Sequence, residues 1–462
     1  AYKNSLFYFM NVNSTVTFKN SAFLLNSADT NTFFVVIYSK TVTLDYLNLT
    51  EQGSNQGTFT DRPAASIYIS TQNLTVANSL FQDNTAQIGA AFALDFLFKT
   101  VNKINESLNP IKKLENTPEY LYLRVRNTTF QNNKVETGGA IHINYVSKSP
   151  LVGEIRDCHF VSNLAETGPA LYVSTIAISA LLLSDNEFNC SVDTSTIGLT
   201  GRLLYFSQLS NVSESFDQSI RILNSKITLH RDLMQNGDLI EMKNIDPLVF
   251  MQNLTFFHDR NSSNDDTNSL TIIKIASSTV SLTDVHFRNF HINTPLIILN
   301  QNAKVSVNAS TFIDLVLDEV SSVFALQDGG HMTLSVTYCS FSRFSYGIYS
   351  DPSAIRVFVK GTNLYINSTN FTELGRGELS GTAIKATMKI FEESLGKMTI
   401  ENSIFSMTSG AITHEGGILW INNCKFINNS RRLGGAIIAR SLMSMGLTNN
   451  HFENNSAFAI SN

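Results

Sequence analysis

The 462-residue sequence predicts an all-β chain wound as a single-stranded right-handed parallel β-helix, a solenoid of about fifteen coils. Three observations carry that expectation: a recurring phrase, a set of apolar columns in register with it, and strand periodicity throughout. The phrase places Phe81, Asn84, Gly89 and Ala91 at offsets 0, +3, +8 and +10. Phe130, Asn133, Gly138 and Ala140 repeat it, as do Phe160, Asn163, Gly168 and Ala170, and Phe426, Asn429, Gly434 and Ala436. Self-similarity at a period of this size marks a repeat architecture.

Upstream of each Phe runs a second pattern: apolar at −7, apolar at −5, Asn or Asp at −3, and a small residue at −2. It aligns the anchors Phe23, Leu49, Phe81, Phe130, Phe160, Phe188, Ile227, Phe256, Phe287, Phe312, Phe341, Phe371, Phe405, Phe426 and Phe452. The −5 column, from Phe18 and Leu44 to Ile421 and Leu447, contains no polar residue. Most anchors lie roughly 25–34 residues apart. Longer gaps between Phe81 and Phe130 and between Phe188 and Ile227 predict insertions there.

Each unit is built of strands. The segments at 121–125, 280–284 and 364–368 alternate apolar and polar residues with period 2, and Gly and Asn break every unit into two or three such pieces. Most units have no room for a covering helix. One coil per unit, stacked at the inter-strand spacing of about 4.8 Å, then gives a rod of roughly 70 Å. The exception is residues 95–119, where Phe98, Val101, Ile104 and Leu108 have helical spacing before Asn109-Pro110. That insertion reads as a short helix lying on the coils, or as a partner-binding arm.

Composition fits one long interior. The chain is 43% hydrophobic with 32 Phe, one Trp and 8 Pro, a balance suited to backbone ladders that need every N–H. The unbroken repeat argues for one continuous domain over 1–462 rather than several globular ones. A net charge of −5 with 15% charged residues leaves no basic stripe, which argues against a nucleic-acid partner. No apolar run approaches the ~20 residues that span a bilayer. The chain begins without a signal peptide, and its last unit is cut short at Asn462, so a fragment of a larger protein is expected.

With Phe-x-x-Asn followed by Gly-Gly-Ala-Ile at Phe130–Ile141 and Phe426–Ile437, the chain resembles the polymorphic outer membrane protein repeats. The resemblance implies a surface-exposed passenger linked to adhesion. Between Phe188 and Phe405 the +3 Asn gives way to Phe290, Leu315, Phe344 and Leu374, and Gly-Gly-Ala is absent. The fold analogy covers that stretch; the family's ligands do not carry over to it.

Candidate chemistry is sparse. Asp157 and Asp185, at −3 on adjacent coils, should stack about 5 Å apart, near the separation of the carboxylates in a retaining glycosidase. The same column holds Asn20, Asn78, Asn127, Asn224, Asn253, Asn402, Asn423 and Asn449, so the competing expectation is a left-handed turn column. Asp265-Asp266 lies in a polar loop without calcium-loop spacing. His159, His286 and His451 occupy outward −1 positions on separated coils, and no Cys/His cluster exists, so no metal or other cofactor is expected. Gly138-Gly139 and Gly434-Gly435 read as tight bends where backbones approach closely. Cys158, Cys339 and Cys424 sit at −2, many coils apart, and Cys190 is offset from Cys158, so four free thiols are expected.

Fourteen Asn-x-Ser/Thr sequons occur. Asn127 and Asn253 fall in the turn column and are expected to be enclosed. The glycosylation candidates are Asn13, Asn48, Asn73, Asn105, Asn189, Asn211, Asn261, Asn308, Asn367, Asn370, Asn428 and Asn454. The functional expectation is a non-enzymatic extracellular or cell-surface glycoprotein rod, structural or adhesive, partnered by itself, by other surface proteins or by glycans. The alternatives are a polysaccharide-binding or polysaccharide-cleaving β-helix and an autotransporter passenger adhesin.

Overall fold

The computed structural model describes residues 7–10, 15–24, 27–28, 34–50, 53–54, 67–86, 90–95, 121–135, 139–145, 151–165, 167–175, 178–190, 202–208, 219–230, 237–245, 248–259, 270–318, 321–327, 330–346, 351–358, 361–375, 381–388, 396–431 and 434–457. Among them there is no helix; the elements are short strands paired in parallel, wound as a right-handed β-helix. The insertion expected at 95–119 lies outside the described residues apart from Asp95. The chain divides into two compact units, residues 1–233 with 244–248, and residues 234–243 with 249–462.

In the first unit the anchors Phe23, Leu49, Phe81, Phe130, Phe160, Phe188 and Ile227 each face the next in register. The −5 column from Phe18 to Ile222 does the same. Strand Leu121–Arg126 shows why the period-2 pattern folds this way: Leu121, Leu123 and Val125 are buried while Tyr122, Arg124 and Arg126 face out. Phe130 and Phe160 stack with ring centroids 4.9 Å apart and planes 12° from parallel. Near-parallel rings at that separation are in the range of offset stacking, a favoured arrangement of aromatic pairs, and the coil rise repeats it from turn to turn. Each buried Phe contributes roughly 1.5–3 kcal/mol of apolar burial, as do the buried aliphatic residues of the −7 and −5 columns beside it.

The expected −7 apolar rule has one departure, Gly153, which faces Leu123 and Leu181. A Cβ on Gly153 would meet Leu181 Cδ1 at 2.7 Å, so the neighbouring leucine fills the column instead. The Gly-Gly-Ala corner is as tight as expected. Gly139 donates its N–H to the Gly168 carbonyl at 2.9 Å, and a Cβ there would lie 2.0 Å from the Pro169 carbonyl oxygen. Ala90, Ala140 and Ala170 are fully buried behind it.

In the second unit the anchors Phe256, Phe287, Phe312, Phe341, Phe371, Phe405, Phe426 and Phe452 stack in the same way. Ring centroids of Phe371 and Phe405 are 4.8 Å apart and 2° from parallel. In the stretch that lacks the phrase, the +3 side chains Phe290, Leu315, Phe344 and Leu374 are all buried. The +3 position is therefore an interior column whether its residue is Asn or apolar.

Candidate functional site

The −3 column is a backbone device. Every aligned −3 residue has positive φ, between 45° and 57°, from Asn20 to Asn449. The set includes Tyr46, Ala309, Tyr338 and Ser368, so the turn demands the left-handed conformation even where the side chain disfavours it. Asp157 (φ 52) and Asp185 (φ 57) belong to this column. Their side chains are 55% and 35% exposed, and both face the Arg156 guanidinium, with Nε at 3.2 Å from Asp157 and 3.5 Å from Asp185. Asn224 donates to Asp185 at 3.2 Å. The pair is an exposed ion-pair ladder around one cation, not two carboxylates sharing a desolvated site.

A second left-handed column stands at +2, with Asp83, Asn132, Ser162, Asp314, Arg343, Glu373, Met407, Asn428 and Asn454 among its members. Its residue types are too varied to announce it. The weak signal was its Asp, Asn and Ser content in the coils that carry the phrase.

The +3 Asn of the phrase makes an interior ladder rather than a bend. Asn84 Nδ2 donates to Asn133 Oδ1 at 2.9 Å and Asn133 Nδ2 to Asn163 Oδ1 at 2.8 Å. Each also donates one coil back, to the carbonyls of Leu49 at 3.1 Å and Phe81 at 3.0 Å. Asn429 and Asn455 repeat this in the second unit, with Nδ2 to Oδ1 at 2.8 Å. Asn84, Asn133 and Asn429 each spend both side-chain donors inside the protein, which makes them structural.

The −2 column works similarly. The Thr128 and Ser225 hydroxyls donate to the carbonyls of Arg126 and Leu223, both at 2.8 Å. Cys158, Cys339 and Cys424 make the same two-residue contact through Sγ, at 3.2, 3.2 and 3.3 Å. All three are free and buried, and burial pushes the Cys158 thiol up to about 12 and the other two up to about 11. A thiol held protonated in this way is a small hydrophobe, not a nucleophile. The side chain of Cys190 lies outside the described residues.

His159, His286 and His451 face outward, and each meets an acid: Glu187 at 3.4 Å, Asp284 at 3.1 Å and Glu453 at 3.2 Å. No group of three potential metal ligands occurs among the described residues. Asp265-Asp266 lies outside them, as do the sequon residues Asn13, Asn105, Asn211 and Asn261. Asn370, Asn428 and Asn454 are exposed, whereas Asn48, Asn73, Asn308 and Asn367 are half-buried. Asn189 is half-buried, with its Oδ1 enclosed. Asn127 and Asn253 correct the expectation that the turn column encloses its side chains: both are exposed, because the left-handed bend turns Cβ away from the interior.

The chemically richest position lies on the outer face of the strand that follows the corner. In the first unit it carries His142, Tyr172 and Tyr205, stacked at 4.6 and 4.9 Å. In the second unit Arg356, Lys385 and Thr413 stand in register there. Asp351 gathers the cations. Its carboxylate meets Lys385 Nζ, Arg431 Nη2 at 3.5 Å and Arg356 Nη2 at 3.9 Å, while its carbonyl accepts from Arg356 at 2.8 Å. Arg431 also donates to Thr413 Oγ1 at 2.9 Å. Desolvation lowers the pKa of both guanidiniums against the opposing pull of Asp351. The sequence reading missed this group because variable loops break the spacing after the corner. The signal was a charged residue between inward Ile355 and Val357, and again between Ile384 and Ala386.

No helix among the described residues is long and apolar enough to cross a membrane. No family model matches the chain, and no curated protein matches it. Among solved structures it is similar to one described as the PL6 family alginate lyase AlyGC, at 9% identity and a TM-score of 0.17, over 95% of this chain and 97% of that one. A TM-score that low transfers no residue and no activity.

Proposed function

We propose that the chain is a non-enzymatic extracellular glycoprotein, structural or adhesive, working in a cell-surface or fibre assembly and akin to the polymorphic outer membrane protein repeats. The observation that carries this reading is the use of the phrase itself. Its Phe, Asn, Gly and Ala residues are engaged in ladders and close backbone contacts, and the carboxylates best placed for glycoside chemistry are exposed around Arg156. Outward Asn370, Asn428 and Asn454 supply glycan positions.

Intact mass before and after N-glycosidase treatment, on protein secreted by eukaryotic cells, tests the reading. A mass loss of several glycans supports it. An unglycosylated chain found upstream of a membrane barrel would establish the autotransporter alternative instead. Sugar release from a polysaccharide panel that disappears on replacing both Asp157 and Asp185 with Asn would overturn the non-enzymatic reading.

A further inference from the structure

We infer that the outward face of the parallel strands from Thr279 to Thr448 binds a neutral polysaccharide, whose sugar rings stack on Tyr365 and Trp420. The strands from Thr279–Arg288 to Ser444–Thr448 pair in unbroken register on that face. As far as Ile421 their alternation buries −7 and −5 and leaves −8, −6 and −4 half-buried or exposed. In those three outward columns the charged residues are Lys304, Lys397 and Glu401, and most of the others are Ser, Thr or Asn. The same columns in the first unit carry Arg124, Arg126, Glu154 and Arg156 on two adjacent coils alone. A face of hydroxyls and amides with little charge has no field to hold a polyion. It suits a ligand that is itself uncharged and rich in hydroxyls.

Two aromatic side chains interrupt that pattern in a single row. Tyr365 and Trp420 flank Thr399 as register partners at −6, so they stand two coil rises apart, roughly 9–10 Å. Trp420 is 45% exposed and faces Gly446, where a Cβ would come within 2.1 Å of its ring. The six-membered ring thus fills the space that a side chain at 446 would take, and nearly half of the residue stays in solvent. An aromatic face is electron-rich, and the aliphatic C–H groups of a sugar ring, partly positive, pack against it. Tyr365 is held in place by its hydroxyl, which donates to Glu401 Oε2 at 3.1 Å. Tyr338, 67% exposed, lies close enough to act on the Tyr365 phenol electrostatically.

Placement favours a polymer over a free sugar. Two rings on one line, two coil rises apart, are spaced for alternate sugars of an extended chain that runs across the coils. Oriented amides stand beside that line. Asn402 Nδ2 donates to Asn367 Oδ1 and Asn423 Nδ2 to Asn402 Oδ1, both at 2.8 Å. The Asn402 and Asn423 amides each keep a second N–H for a sugar hydroxyl. Groups fixed before the ligand arrives lose little freedom on binding.

The inference rests on the adhesive reading and names the partner it leaves open; a chain that binds no polysaccharide can still be a glycosylated structural rod, so the two fail separately. Trp420 is the single tryptophan of the chain, so its emission reports on this face alone. Fluorescence titration of the whole chain with laminarin, hydroxyethylcellulose and galactomannan, and with polygalacturonate as the charged control, tests it. A saturable blue shift with at least one neutral polymer, and none with polygalacturonate, supports the site. Affinity electrophoresis in gels cast with the responding polymer then reads the variants. Trp420→Ala should weaken binding at least about tenfold and Tyr365→Ala at least about threefold, with circular dichroism unchanged. Tyr122→Ala, at an exposed ring of the first unit, should leave affinity as it was. The proposal is overturned by no response to any neutral polymer, by an equal response to polygalacturonate, by retardation with the emission unmoved, or by an affinity that survives either substitution. A blue shift that follows protein concentration without sugar, with a dimer in sedimentation, would assign the face to a second copy of the chain instead.

Discussion

Asn133 donates from Nδ2 to Asn163 Oδ1 at 2.8 Å, and Asn163 Oδ1 also accepts the Asn133 backbone N–H at 3.1 Å. The same Asn133 amide reaches the Phe81 carbonyl at 3.0 Å, while its Oδ1 accepts both N–H groups of Asn84. One side chain thus completes the polar groups of three coils. Asn133→Ala should cost about 3 kcal/mol, because it leaves several buried donors and acceptors unpaired at once. Urea unfolding monitored by circular dichroism measures it. Converting Asn84, Asn133 and Asn163 together to Leu should cost less than the sum of the single changes. Phe290, Leu315 and Phe344 already occupy this column in an all-apolar form, so the penalty belongs to the mixture. Strict additivity would mean the ladder is not a unit.

Ala309 holds a left-handed φ of 49° at an exposed position of the column that elsewhere favours Asn. Its Cβ is strained there, by an amount on the order of 1 kcal/mol. Ala309→Asn should therefore raise stability by about 0.5–1 kcal/mol, read as a higher urea midpoint at unchanged slope. A neutral or lower midpoint would show that the turn is not strained.

These two columns also mark how far the sequence could be read. The −5 and anchor columns were legible because a continuous interior tolerates only apolar residues there. The −3 column was legible because Asn and Asp are the side chains that best accept left-handed φ. The +2 column was not, since Arg343 and Met407 adopt φ of 58° and 53° under pressure from the coil, not from their own preference. The +3 Asn was visible as part of the phrase, but its spacing alone did not show what its amide bonds. Whether a repeated amide turns the chain or bonds its copies depends on which way it faces. The Asp351 cluster was invisible because it joins residues from strands whose connecting loops differ in length.

His142 and His414 give the stability a sign with pH. Burial lowers the pKa of each from 6.5 to about 4. The folded state therefore binds fewer protons than the unfolded chain across that interval. Their contribution is complete above about pH 6.5 and is lost as the pH falls toward 4, at up to about 3 kcal/mol per residue. Unfolding midpoints should drop steeply from pH 6.5 to 4. His414 is fully enclosed, in register with Ala386 and Ala439, so His414→Leu should flatten part of that slope. An unchanged slope in that variant would remove His414 from the account.

Protonated thiols give a kinetic expectation. Cys158, Cys339 and Cys424 should resist iodoacetamide at pH 8 in the native protein and react within minutes once unfolded in urea. Peptide mass mapping separates them from Cys190. Cys158→Ser should be close to neutral, because Ser79 and Ser225 make the same hydroxyl-to-carbonyl contact two residues back.

The exposure of the sequon residues orders their glycan occupancy. Asn370, Asn428 and Asn454 face solvent, and so do Asn127 and Asn253. In protein secreted by eukaryotic cells, site mapping after deglycosylation in heavy-oxygen water should find these five occupied ahead of Asn189, whose Oδ1 is enclosed. Asn127 is the sharpest case. Its Nδ2 donates to Asn78 Oδ1 at 2.9 Å, as one rung of an exposed amide ladder. A glycan at Asn127 requires modification before this rung forms, during synthesis. Asn78→Ala should raise its occupancy, while occupancy of Asn454 should not move. If Asn189 is fully modified and Asn454 is bare, folded-state exposure does not govern these sites.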